Sequence, residues 1–150
     1  QGGLRISYDE LGHALQMILN NGKYRGKQVL RPGALREMMT TQWTYDPAKQ
    51  NGDTNRGSIE AYGLAMYPIF GNGTSRGVKD HALNLWGHTG EAYGLLSGLF
   101  VVPGTKNGFL YMMNGEAVAE DDDPRSEGKF SGHYVWEENI MDAICDEAFF

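Results

Sequence analysis

Two nearly unbroken apolar runs, Leu95–Val102 and Phe109–Asn114, flank the turn cluster Pro103-Gly104-Thr105-Lys106-Asn107-Gly108. Proline, glycine and asparagine at this density end a strand and reverse the chain. Two such runs about such a turn predict an antiparallel hairpin. Neither run alternates strictly between apolar and polar residues, so both faces of the sheet they enter should be covered. The rest of the sequence has to supply those covers.

Helices are predicted at both ends. Ser7 precedes an apolar stripe of Leu11, Leu15, Ile18 and Leu19, and Glu10 stands where a capping box needs it. Asn20-Asn21-Gly22 is a left-handed stop. A second short helix, Ala34 to Thr40, is entered through Pro32. The last helix carries Val135, Trp136, Ile140, Ala143 and Ile144 as a stripe, with Ser131 as its cap. Between these lie strands at Ile59–Ile69 and Leu83–Thr89, ahead of the hairpin. The predicted class is α+β: an antiparallel sheet with flanking helices, in one domain spanning 1–150.

Composition narrows the function. A net charge of −6 argues against nucleic-acid binding, which needs a basic face. No apolar run approaches the roughly 20 residues of a membrane-spanning helix. Cys145 is the lone cysteine, so it forms no internal disulfide, and it reads as a small core residue rather than a nucleophile. Glycines number 21, consistent with many turns and close backbone contacts.

The chemistry concentrates in Trp86-Gly87-His88-Thr89-Gly90-Glu91. His88 offers a ring nitrogen and Thr89 a hydroxyl, a pair able to hold a carboxylate. Gly90 has no Cβ, so a substrate backbone can come close. The Glu91 N–H can stabilise an oxyanion. The plainer reading is a strand that bends at two glycines, with His88 and Thr89 on its exposed face.

Four segments together resemble a known family: Gly2-Gly3-Leu4-Arg5-Ile6-Ser7 leading into a helix, Val29-Leu30-Arg31-Pro32 before another, Tyr62-Gly63-Leu64-Ala65-Met66, and Gly87-His88-Thr89-Gly90. In this order they resemble the C-terminal portion of the serine β-lactamase and penicillin-binding-protein superfamily. The nearest branch is the class C-like one of D-alanyl-D-alanine carboxypeptidases and esterases. The resemblance implies a partial β-lactamase/transpeptidase-like fold. It implies a serine that attacks an ester, peptide or β-lactam carbonyl, an acyl-enzyme hydrolysed by water, no cofactor, and a periplasmic or extracellular location. His88 and Thr89 would orient a substrate carboxylate, and Gly90 would allow close approach. The Glu91 N–H would form half of an oxyanion hole, and Tyr93 would line the entrance. Histidine replaces the family's usual lysine, so the anchoring charge would be partial and pH-dependent.

The family's other two motifs are Ser-x-x-Lys and Tyr-x-Asn or Ser-x-Asn. Ser126-Glu127-Gly128-Lys129 matches the first by letter, but it follows the third motif and sits in an acidic loop, so it reads as coincidence. No tyrosine is followed two residues later by asparagine. The expectation is that this is the C-terminal part of a larger catalytic domain, with the nucleophile half upstream, and that it is inactive alone. Faces that would pack on the missing half predict self-association, strand or helix exchange, or an accompanying chain. The rival reading is a non-catalytic peptide-binding or scaffold domain of the same fold.

Other stretches read plainly. Glu116 through Pro124 is a solvated acidic loop, although clustered carboxylates can hold Ca²⁺. Asn51 through Gly57 is a mobile surface loop, and Asn72-Gly73-Thr74 is a glycosylation sequon relevant only to a secreted eukaryotic protein. His13 is exposed, His81 lies in a turn and His133 lies near the start of the last helix. No pair of His or Cys has metal-ligand spacing on a common element.

Overall fold

A computed structural model describes residues 4–55, 57–70, 84–115, 128 and 132–149. The Gly2-Gly3 start, the sequon at 72–74, His81, Leu83, the acidic stretch 116–124, Ser126, Lys129 and Ser131 lie outside the described residues. The elements run α1 (Tyr8–Leu19), β1 (Lys23–Tyr24), β2 (Lys27–Gln28), α2 (Pro32–Met38), β3 (Trp43–Thr44), β4 (Ala61–Tyr62), β5 (Tyr67–Phe70), β6 (Asn84–Ala92), β7 (Leu95–Val101), β8 (Gly108–Asn114) and α3 (Val135–Phe149). Every strand pairing is antiparallel, and the fold class is α+β.

Helix α1 begins as its sequence dictates. The Ser7 hydroxyl accepts from the Glu10 N–H at 3.2 Å, and the Glu10 carboxylate accepts from the Ser7 N–H at 3.0 Å. Two of the donors orphaned at a helix start are thereby satisfied. At the other end Asn21 and Gly22 take φ of 53° and 80° and reverse the chain. The Lys106 ammonium donates to the Leu19 carbonyl at 2.7 Å. A cation at a helix C-terminus is favourable, and here it ties α1 to the β7–β8 turn. Helix α2 starts at Pro32, two residues before the expected Ala34, because proline is well suited to the first helical position.

Strands β5, β6, β7 and β8 form one antiparallel meander in that order. The hairpin at Pro103–Gly108 is present, with Val101 opposite Gly108. The expected strand Ile59–Ile69 is instead two. Its first part, β4, pairs with β3 in a separate ribbon (Trp43 opposite Tyr62), and only Tyr67–Phe70 joins the main sheet. The break comes at Gly63-Leu64-Ala65, where Ala65 has φ 60°. Gly63 lies against the end of α2, and a Cβ there would stand 2.2 Å from the Met38 carbonyl oxygen and 2.9 Å from the Trp86 ring. Strand β6 runs to Ala92, beyond the expected end at Thr89, because Tyr93-Gly94 closes a two-residue hairpin with φ of 55° and 80°.

Both sheet faces are covered. One carries Tyr67, Ile69, Leu85, Phe100, Phe109 and Tyr111 against Met141 and Cys145 of α3. The other carries Met66, Trp86 and Val101 against Leu15 of α1, with Ile18, Leu19 and Met38 around it. The α3 stripe differs from expectation. Ile140, Met141, Ile144 and Cys145 pack on the sheet, Ala143 is exposed, and Glu137 and Glu138 in the first turn are buried. At the start of the loop after β3, the Asn51 amide donates to the Thr44 carbonyl at 3.0 Å and its side-chain oxygen accepts from the Asp46 N–H at 2.7 Å.

Candidate functional site

Strand β5 accompanies β6 only as far as Gly87, its partner being Tyr67. His88 to Ala92 continue past it beside β7. The two-residue loop makes Ala92 and Leu95 a hydrogen-bonded closing pair, so Gly90/Ser97 and His88/Leu99 are bonded pairs as well. The N–H groups of Thr89 and Glu91 are consequently directed to the side of β6 away from β7.

Thr89, Gly90 and Glu91, with Leu96 of β7, border a small cleft of about 30 Å³. Asn55 and Ser58 also line it, as do His133, Tyr134 and Glu137 around the start of α3. His88 lies apart from this lining. Although its position alternates with that of Thr89 along the strand, its ring packs on Tyr62 and Tyr67, which belong to the cluster on the α3-covered face. Its exposed ring meets the edges of Tyr62 and Tyr67, at centroid separations of 5.9 and 5.2 Å. His88 Nδ1 also contacts the Thr89 carbonyl oxygen. Tyr93 is at the tip of the β6–β7 hairpin, 98% exposed and outside the cleft lining.

The two glycines flanking His88-Thr89 differ in kind. A Cβ on Gly87 would stand 2.0 Å from the Leu99 carbonyl oxygen and 2.4 Å from the Phe100 ring, so packing demands glycine there. At Gly90 the nearest obstacle is the Ser97 hydroxyl at 2.8 Å, which a rotamer change moves away. Gly90 is exposed, and the space beside it is open to a guest.

The structure adds groups that the sequence reading did not single out. Tyr67 is fully buried, and its phenol oxygen sits 3.0 Å from Thr89 Oγ1 and 3.1 Å from His133 Nε2. The Tyr111 phenol donates to the buried Glu137 carboxylate at 2.7 Å. Burial pushes both phenols well above the usual tyrosine range, and the Glu137 charge adds to the effect on Tyr111. Both therefore stay protonated at neutral pH and act as hydrogen-bonding groups, not bases. The sequence signal for Tyr67 was hidden, because only the β5–β6 register places it beside Thr89. Burial drives the Cys145 thiol up to about 11, aided by Asp142 and Asp146, which fits a core residue. Among the described residues no group of His, Cys, Asp and Glu is arranged to hold a metal ion. No described helix is long and apolar enough to cross a membrane.

Burial also lowers His133 from 6.5 to about 4. The folded chain refuses a proton that the unfolded chain accepts. The stability this histidine contributes is full above pH 6.5 and is lost as pH falls from 6.5 toward 4. Urea midpoints across that window should drop more steeply for the native chain than for His133→Gln. Parallel curves would show that the imidazole is not held neutral.

No family model, curated protein or solved structure matches the chain.

Proposed function

We propose that this chain supplies the substrate-binding strand of a serine acyl-transfer hydrolase of the β-lactamase and penicillin-binding-protein type, with the nucleophile provided by a segment outside this sequence. One observation carries the reading: β6 runs on beyond β5, and in that stretch Thr89, Gly90 and Glu91 border a cleft. Thr89 would offer a hydroxyl, Gly90 an open approach and Glu91 a backbone N–H on the side of β6 away from β7. Such preorganised donors stabilise charge that develops on a carbonyl oxygen. His88 would act from the β5 end of the strand, where its ring packs on Tyr62 and Tyr67. The substrate class is an ester, peptide or β-lactam, with the acyl group passing to the absent serine and then to water. Tyr93, at the hairpin tip, would meet only a long substrate.

The same strand edge also favours a second reading, a peptide-binding domain that adds an extended ligand to the sheet. Covalent probes separate the two. This chain should show no mass shift with a fluorescent penicillin or a fluorophosphonate, and stoichiometric labelling would reveal a nucleophile here. A longer polypeptide carrying Ser-x-x-Lys and Tyr-x-Asn upstream should be labelled. Replacing His88-Thr89 by Ala-Ala in it should lower hydrolysis by about 10²-fold or more. An unchanged rate would remove both side chains from the mechanism. A reading frame that starts at Gln1 would favour the binding domain.

A further inference from the structure

A larger hollow lies where the end of α1 meets the β7–β8 turn. Its volume is about 320 Å³, against about 30 Å³ for the cleft beside Thr89. Pockets that hold small molecules start at about 300 Å³. Ile18 and Leu19 of α1, Met39 after α2, and Val101 and Val102 at the end of β7 give it an apolar lining. Asn21, Thr105 and Lys106 supply polar groups at an exposed rim. The Thr105 hydroxyl is committed to the turn: it donates to the Val102 carbonyl at 2.7 Å and accepts from the Asn107 N–H at 3.0 Å. The Lys106 ammonium donates to the Leu19 carbonyl at 2.7 Å and to Asn20 Oδ1 at 3.3 Å. An ammonium has three N–H groups, so one is left for a ligand. No aspartate or glutamate lines the hollow, and among the described residues Lys106 pairs with no carboxylate. The neighbouring sequence adds positive charge. From Leu11 to Arg36 there is no acidic residue, while Lys23, Arg25, Lys27, Arg31 and Arg36 all fall there, in a chain of net charge −6. The first three stand exposed on the β1–β2 ribbon, just beyond Asn21.

We infer that this hollow binds an amphipathic anion: a short acyl chain lies on the apolar lining, and its carboxylate accepts from the third Lys106 N–H. The chain is recognised because each methylene taken out of water is favourable. The head group is recognised by charge. Leu19 and Asn20 already hold the ammonium in place, so little side-chain freedom is lost when the ligand arrives. A cationic amphiphile would meet Lys106 and the basic ribbon as like charges. The site is independent of the reading of β6. It lies at the other end of β7 from Leu96, and neither Thr89 nor Glu91 takes part.

The test uses this chain with ¹³C-labelled methyl groups and sodium hexanoate as the probe. The methyl signals of Ile18, Leu19 and Val101 should shift together by about 20 mM, where a ligand of this size binds even at modest efficiency. Butanoate, shorter by two methylenes, should bind about 4- to 15-fold more weakly. Lys106→Met keeps an apolar stem and removes the charge. It should weaken hexanoate about 3- to 10-fold and leave hexanol, the neutral chain, within about twofold. Lys106→Arg should retain hexanoate. Raising the salt should weaken hexanoate and not hexanol. Equal losses of hexanol and hexanoate in Lys106→Met would show that Lys106 only shapes the turn, and would overturn the proposal. So would hexanol binding the native chain as tightly as hexanoate, shifts confined to Leu96 in the other cleft, or no shifts at all.

Discussion

Truncating Phe100 to alanine is expected to destabilise the chain by about 3–5 kcal/mol. Phe100 has no solvent exposure and sits at the middle of the face that α3 covers. Its ring meets Tyr67 edge-on at 6.3 Å and Phe109 at 5.6 Å. The residue two before it is Gly98, where a Cβ would stand 2.9 Å from the Phe100 ring and 2.4 Å from the Tyr111 ring. Backbone and aromatic rings on several sides cannot collapse far into the vacated space, so most of the cavity would persist. Against a total of about 5–15 kcal/mol for a domain, this loss would leave a marginal fold. Urea unfolding should show a much lower midpoint with an unchanged slope. A loss below about 1.5 kcal/mol would mean that the wall relaxes freely, contrary to this packing.

Gly87→Ala is expected to cost about 3 kcal/mol or more, at the upper end of what overpacking does. The added methyl would stand 2.0 Å from the Leu99 carbonyl oxygen and 2.8 Å from the Phe100 Cα, both backbone. Rotamers cannot relieve a clash with the neighbouring strand; β6 and β7 would have to separate. Gly26→Ala is the useful comparison. Its methyl meets nothing within 4 Å, but φ is 79°, so the cost is conformational, about 1–2 kcal/mol. The order of the two losses in thermal or urea unfolding checks the register. Equal losses would show that Gly87 has room, and that β5, β6 and β7 do not meet there as described. Because Gly87 immediately precedes His88 and Thr89, the same substitution should also displace the site.

How much was legible varies by element. The Ser7–Glu10 box, the Asn20–Gly22 stop and the Pro103–Gly108 turn are local signals, written in residues that touch each other, and each appears where its residues stand. The break in Ile59–Ile69 was not legible, because what forbids a continuous strand is the end of α2 lying against Gly63. The α3 stripe was misplaced for a related reason. Glu137 is buried because Tyr111, 26 residues earlier, offers it a phenol. Within the site, Thr89, Gly90 and Glu91 were visible as a motif on a strand. His133 read as an ordinary helix-end histidine and Tyr67 as one more aromatic.

The amino-acid order by itself determined the capped helices, the turns and the need for two covered sheet faces, since each follows from backbone preferences and apolar spacing over a few residues. Only the tertiary structure decided which strand stops at Gly87, and which phenol and imidazole stand behind Thr89. Strand register and helix placement are set by packing between segments far apart in the chain, and no local propensity encodes them.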